Sequence, residues 1–287
     1  MDSIILNARA KVNLSLDVIR KRQDGYHDLR MIMQTVELHD SVLVEAIERG
    51  IEVGCDNLYV PSGTKNIAFK AAELIINRYG IKKGVRIKIQ KRIPVAAGLA
   101  GGSSDAAAVL KGMNRLFALG IDEAELMLLG KSIGADVPYC IKGGTMLAEG
   151  IGEVLTGLPP LNGINIVLVK PGIGVSTAWV YKNLNLEEIT KRPDTQMLIN
   201  AIKENRIDLL ARNMVNVLET VTLKEYSVIE DIKKRLVELG ALGSMMSGSG
   251  PTVFGIYPDA QSAEKAINCL NNKGWECFLT KTICEER

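Results

Sequence analysis

The sequence predicts an α+β fold, on three observations. Strand-like alternation is concentrated in the first third of the chain. A strong Asp24-Gly25 turn signal joins two of those runs as an antiparallel hairpin. Helical periodicity dominates after about residue 100, with no regular βαβ repeat of the doubly wound kind.

The first element is Ala8 to Val18. Its even positions are Ala8, Ala10, Val12, Leu14, Leu16 and Val18, and its odd positions are Arg9, Lys11, Asn13, Ser15 and Asp17. That is a strand with one buried face, and it points Lys11 and Asn13 together away from the apolar core. Tyr26 and His27 open the return segment, and Leu29 to Val36 and Ser41 to Ile47 read as two further strands. Lys65 to Tyr79 is a helix stopped by Gly80, and Val85 to Ile89 is again an alternating strand. Past Asp105, AAAVLKGMNRLF is helical, and Asp122 with Glu125 has capping-box spacing for a helix through Ser132. Gly134 ends it and leaves Asp136 in the turn beyond.

Short strands follow at Thr145 to Ala148 and Ile164 to Val169. Helices follow at Val175 to Leu184, Met197 to Val217 and Ser227 to Leu239. Leu242 to Met246 and Val253 to Tyr257 are strands flanking a glycine-rich SGSGP, before a helix at Ala260 to Asn271 and a strand at Cys277 to Ile283. The turn-rich Gly157-Leu158-Pro159-Pro160 suggests two domains, 1–158 and 159–287.

Composition narrows the function. The 287 residues are 47% hydrophobic, which supports a packed core. Thirty-five Lys and Arg against 33 Asp and Glu leave a net charge of +2, no electrostatic footprint for nucleic acid. Five cysteines without a CxxC pair fit reduced thiols rather than a disulfide framework or zinc site, hence a cytoplasmic protein. No apolar run approaches a membrane span, and the strand-like N-terminus leads us to expect no signal peptide.

Chemistry is densest at Pro94-Val95-Ala96-Ala97-Gly98-Leu99-Ala100-Gly101-Gly102-Ser103-Ser104, between a strand and a helix. Small residues admit a phosphate to the backbone, and the free N–H groups of the following helix carry the positive end of its dipole. Ser103 and Ser104 add hydroxyls, and Ser104 is within reach of a metal on this reading. By itself the stretch also reads as a flexible turn before a Ser-capped helix. No Lys follows Gly101 or Gly102, which excludes a Walker A loop, and no Gly-x-Gly-x-x-Gly occurs. Asp136 reads either as a general base or as a cap of a short helix.

Three segments in order, AKVNLSL (Ala10 to Leu16), PVAAGLAGGSSDAA (Pro94 to Ala107) and MMSGSGPTVFG (Met245 to Gly255), resemble the galactokinase–homoserine kinase–mevalonate kinase–phosphomevalonate kinase superfamily. NARAKVNLSLDV, RQDGYHDL and GADVPYC are similar to one branch of it, whose members use ATP to phosphorylate the tertiary 2-hydroxyl of a cytidine-diphosphate-linked sugar alcohol on the non-mevalonate isoprenoid route. The resemblance implies a ribosomal-protein-S5-like N-terminal domain and a ferredoxin-like C-terminal domain. It implies ATP on the Pro94–Ser104 stretch, with Mg²⁺ arriving on the nucleotide rather than in a protein cage. Asp136 becomes the base and Lys11 its catalytic partner, with Asn13 beside it on the substrate. Tyr26 becomes a stacking surface for cytidine and His27 a hydrogen-bonding partner for the base edge. Tyr181, rather than Trp179, is our choice for the second stacking face. No obligate protein partner is implied. Other kinases of the superfamily, or a catalytically silent nucleotide-binding protein, are the alternatives. Ala96, Ala97 and Ala100 stand where relatives carry more glycine, so these positions are expected in ordinary conformations.

Overall fold

The computed structural model describes residues 2–270 and 274–284. In chain order the first elements are β1 (Ser3–Lys21), β2 (His27–Ile47), β3 (Ile51–Cys55), α1 (Ile67–Tyr79), β4 (Gly84–Gln90), α2 (Gly101–Leu116), α3 (Glu123–Ile133) and α4 (Val137–Lys142). Then come β5 (Thr145–Gly150), β6 (Val154–Gly157), β7 (Asn165–Lys170), α5 (Thr177–Asn183), α6 (Thr195–Lys203), α7 (Ile207–Arg212), α8 (Glu219–Glu225) and α9 (Ser227–Glu238). The last are β8 (Gly243–Met246), β9 (Val253–Tyr257), α10 (Ala260–Leu270) and β10 (Glu276–Lys281). The expected last residue of α10, Asn271, lies outside the described residues.

Two compact units emerge. The first comprises 1–10, 38–95 and 100–142, and the second 11–37, 96–99 and 143–287. In the first, β4 pairs antiparallel with the Ser41–Ile47 half of β2 and parallel with β3. A parallel pair needs a crossover, and α1 supplies it. Val42, Val44, Val85, Ile87 and Ile89 of the sheet bury against Ala68, Ala71, Ala72 and Ile75 of α1 and Ala106 to Leu110 and Met113 of α2. A Cβ on Gly112 would stand 2.9 Å from Leu6 Cδ1 and 3.0 Å from Val44 Cγ2, so the glycine is what lets α2 lie this close to the sheet.

In the second unit the Leu29–Gln34 half of β2 pairs with β5, and β5 with β6. A separate antiparallel sheet has the order β10-β7-β9-β8. Taken as strand, helices, strand, strand, helix, strand, that order is the ferredoxin-like arrangement. Its inner strands are buried from Ile166 to Val169 in β7 and along the whole of β9.

Several expectations are corrected. The two segments Leu29 to Val36 and Ser41 to Ile47 form one strand, because Glu37 to Asp40 holds no glycine or proline, and its one turn-prone residue, Asp40, spends its carboxylate on Lys91 and the Arg92 and Ile93 N–H groups. β1 is buried on both faces from Ala10 to Val18. The polar face tolerates this because its side chains find partners: Lys11 with Asn13, Ser15 with the Ile32 N–H, and Asp17 with Arg192. The single helix expected over Met197 to Val217 is broken at Asn205, whose φ of 52° no right-handed helix accepts. The capping box at α3 is half formed. Asp122 accepts from the Glu125 N–H at 2.8 Å, but the Glu125 carboxylate takes the Tyr79 hydroxyl instead. The strands β3 and β6 were not expected at all.

Candidate active site

The glycine-rich stretch belongs partly to α2. The helix begins at Gly101, not beyond Asp105, so Gly101 to Ser104 form its first turn. The Ser104 N–H is bonded to Ala100 O at 2.9 Å. Helix geometry therefore leaves the N–H groups of Gly101, Gly102 and Ser103 without intrahelical partners, at the positive end of the dipole. Ser104 is buried and donates its hydroxyl to Arg9 O at 2.6 Å, while Ser103 and Gly102 stay accessible. The expectation of Ser104 as the hydroxyl reaching a metal is corrected by its burial, which leaves Ser103 as the accessible hydroxyl of the two.

The expectation for the alanines is also corrected in part. Ala96 and Ala100 both adopt left-handed backbone, with φ of 52° and 57°, while Ala97 does not. Ala100 occupies the N-cap position, where a reversal of the chain sets the direction of α2. The smallest side chain that still carries a Cβ bears that conformation at about 1–2 kcal/mol each.

Asp136 lies in the same unit, in the turn between α3 and α4. Its backbone carbonyl accepts from the Cys140 N–H at 3.0 Å, which starts α4. Its carboxylate is half-buried and, among the described residues of this unit, takes no hydrogen bond or ion pair. The side-chain cap that would make it a purely structural residue is absent there. A Cβ on neighbouring Gly134 would stand 4.0 Å from Ser103 Oγ, so this turn and the first turn of α2 face one another.

The second unit holds the other predicted groups. Lys11 is 5% exposed, and its ammonium donates to Asn13 Oδ1 at 2.7 Å. No carboxylate of its own unit pairs with it among the described residues. A buried ammonium with one neutral acceptor is costly unless it serves an anion. The Asn13 amide in turn reaches Met31 Sδ at 3.4 Å. The Lys11 N–H is held by Leu99 O at 3.2 Å.

Gly98 is wedged against the SGSGP segment. With φ at 73°, a Cβ there would stand 2.2 Å from Ser247 O. Ser247 Oγ donates to Gly98 O at 3.0 Å. A Cβ on Gly248 would stand 3.6 Å from Lys11 Nζ, which brings the first, second and third sequence motifs together.

His27 and Tyr181 meet with ring centroids 5.2 Å apart and planes tilted by 32°. That is direct aromatic contact, so no base lies between these two rings in this arrangement. Burial, with the Lys21 charge adding to it, lowers the His27 pKa and favours the neutral imidazole. Tyr26 is exposed. Trp179 points elsewhere, edge-on to Tyr226 at 6.4 Å. Ser176 caps α5 through the Trp179 N–H, and Thr177 Oγ1 contacts Ser249 Oγ at 2.8 Å, so the helix carrying Tyr181 is tied to the SGSGP segment.

Three groups escaped the sequence reading. Asn216 is buried and donates to Met246 O at 2.9 Å and Gly248 O at 2.7 Å, while its Oδ1 accepts from the Leu218 N–H. It pins the SGSGP segment from a stretch with no glycine or motif to flag it. Arg192 holds Asp17 and also donates to Val18 O at 2.9 Å. Lys91 forms a buried ion cluster with Asp40 and Asp105. Among the described residues no group of three His, Cys, Asp or Glu side chains is placed to hold a metal. Among the described residues no helix is long and apolar enough to cross a membrane.

Residues 66–144 match the GHMP kinases N terminal domain, and residues 198–276 match the GHMP kinases C terminal domain. The chain is 66% identical to 4-diphosphocytidyl-2-C-methyl-D-erythritol kinase of Acetivibrio thermocellus over 99% of this chain and 100% of that one. It is 52% identical to the protein of the same name from Clostridium botulinum (strain Loch Maree / Type A3), over 98% and 100%. A crystal structure of 4-(cytidine 5'-diphospho)-2C-methyl-D-erythritol kinase superposes with a TM-score of 0.86 at 32% identity, covering 98% of this chain and 100% of that one. Homoserine kinase from Cytophaga hutchinsonii, at 21% identity over 99% of this chain and 95% of that one, shares the fold with a TM-score of 0.79.

Proposed function

Since the chain belongs to the 4-diphosphocytidyl-2-C-methyl-D-erythritol kinase family within the GHMP kinases, we propose that it transfers the γ-phosphoryl group of ATP to the 2-hydroxyl of 4-diphosphocytidyl-2-C-methyl-D-erythritol. The observation that carries the reading is 66% identity over essentially the full length of both chains. The Lys11–Asn13 pair and the His27–Tyr181 contact support it.

In this reading the ATP phosphates sit on the Pro94–Ser104 stretch. The N–H groups of Gly101, Gly102 and Ser103 meet their oxygens, and Mg²⁺ enters as part of the MgATP substrate. Ser103, the accessible hydroxyl of the pair, adds a donor for the phosphate oxygens. Asp136 takes the proton of the attacking hydroxyl. Lys11 stabilises charge on the transferring oxygens, and Asn13 fixes the direction of its ammonium. Tyr26 and Tyr181 offer aromatic faces to the cytosine. His27, steered by Tyr181 and neutral at physiological pH, addresses the base edge. A base–aromatic stack contributes roughly 1–3 kcal/mol. Residues 1–158 then carry ATP and catalysis, and 159–287 support the substrate. The free thiols at all five cysteines suit a cytoplasmic enzyme.

The test is ADP release with the cytidine-linked substrate, set against homoserine and mevalonate as alternative acceptors. Turnover with either of those and none with the cytidine-linked alcohol overturns the assignment. Asp136→Asn is expected to lower kcat by about 10²–10⁴ while nucleotide affinity holds.

A further inference from the structure

Behind the first turn of α2 lies a buried ion cluster that the mechanism above does not use. Lys91 stands between β4 and Pro94, with its side chain 4% exposed. Its ammonium donates to Asp40 Oδ2 at 2.5 Å and to Asp105 Oδ2 at 2.7 Å. Asp40, on β2, is fully engaged, because its Oδ1 also accepts from the N–H groups of Arg92 at 2.6 Å and Ile93 at 2.8 Å. Asp105 is not. Its Oδ1 is buried without a hydrogen-bond partner.

The cluster has a definite place relative to the phosphate stretch. Lys91 lies just before it in the chain, and Asp105 comes immediately after Ser104. A Cβ on Gly101 would stand 3.0 Å from Lys91 Nζ, so the ammonium lies directly under the first residue of α2. One cation therefore joins the residues entering the stretch to the helical turn leaving it, and Asp40 fixes both to the sheet.

We propose that Lys91 and Asp105 are positioning residues for the ATP phosphates, holding the first turn of α2 in place and setting the charge beneath it. The proposal rests on the reading that this stretch binds ATP.

Charge bookkeeping gives it a signature. Burial, reinforced by the Asp40 charge and opposed by Lys91, pushes the Asp105 carboxyl up to about 7. With Asp105 protonated the cluster carries one negative charge fewer than with Asp105 ionised. A negative charge under an anion site weakens it. Nucleotide binding should then draw a proton onto Asp105. The other titratable groups against the cluster are Asp56, whose Oδ1 accepts the Lys91 N–H at 2.8 Å, and the Cys55 thiol, which burial pushes up.

The experiment is calorimetry of MgADP binding to the full chain between about pH 6 and pH 8, in two buffers of different ionisation enthalpy. The native protein, Asp105→Asn and Lys91→Met are compared, with KM for both substrates alongside. Titration of the nucleotide's own phosphate is common to all three and cancels. Native protein is expected to take up a fraction of a proton and to bind less tightly as pH rises through about 7. Asp105→Asn, nearly isosteric and the variant that preserves the fold best, is expected to lose that pH step. Lys91→Met is expected to weaken MgADP by about tenfold or more, with KM for the cytidine substrate within about twofold. Native protein that binds no nucleotide sinks the ATP reading and this proposal with it. Native protein that binds, with the pH step intact in Asp105→Asn and affinity unchanged in Lys91→Met, sinks this proposal alone.

Discussion

Lys11 Nζ and Asn13 Oδ1 are 2.7 Å apart on the same face of one strand, and both side chains are buried. An ammonium in that setting gives up hydration, so its removal should relieve the fold while harming the chemistry. Lys11→Met is expected to lower kcat by about 10²–10³ without lowering the melting temperature. Steady-state kinetics and thermal unfolding on the same preparation check this. An equal loss of kcat and stability would make Lys11 a structural residue.

Gly98→Ala should be severe. The new methyl would meet the Ser247 carbonyl at 2.2 Å, in a backbone conformation that L residues resist. Denaturant unfolding is expected to show a loss of roughly 2 kcal/mol or more, accompanied by loss of turnover.

The alanines predict the opposite sign. Ala96 and Ala100 carry left-handed strain of about 1–2 kcal/mol each. Glycine removes that strain but adds about 0.5–1 kcal/mol of unfolded-state entropy. Ala100→Gly is therefore expected to leave stability unchanged or to raise it by up to about 1 kcal/mol, measured by urea titration.

Asn216→Ala removes two donors from the carbonyls of Met246 and Gly248 and an acceptor from the Leu218 N–H, all in a buried setting. The expected cost is roughly 2–4 kcal/mol. A matching rise in KM for both substrates is expected, since the SGSGP segment loses its anchor.

His27 gives a pH prediction. Its folded pKa is lowered, so the neutral ring is favoured in the fold. The stability it contributes is present above the ordinary value of 6.5 and is lost as pH falls through the depressed folded value. The chain has two histidines, His27 and His39, so ring-proton NMR can follow them with a His27→Asn variant for assignment. KM for the cytidine substrate is expected to be flat above about pH 7 and to rise on acidification. A His27 resonance titrating above the ordinary histidine value would refute this.

The segments of the candidate site stand out in the sequence where its parts are contiguous. Pro94–Ser104, Asp24–His27 and Gly134–Cys140 each compress turn chemistry and reactive groups into one short run, so local pattern suffices. Lys91, Asp40 and Asp105 were not legible, because a lysine after a strand and two isolated aspartates become a cluster only when β2, β4 and α2 are packed together. Asn216 hid for the same reason. The burial of Lys11 and Asn13 was missed because alternation reports which face is apolar, not whether the polar face is also covered. The left-handed alanines show that propensity yields when neighbouring backbone fixes a conformation.

The pairing of β1 with the stretch before α8 bears on how the enzyme is made. The Leu16 N–H bonds to Val215 O, and the Val217 N–H returns to Leu16 O, both at 3.0 Å. A residue made among the first thus waits for partners made late in synthesis. The unit holding Lys11, Tyr26 and His27 cannot close on a ribosome that has not passed Val217. A stalled or prematurely ended chain would therefore carry Lys11, Tyr26 and His27 without the partners that shape them, and would be an inactive fragment rather than a weakened kinase.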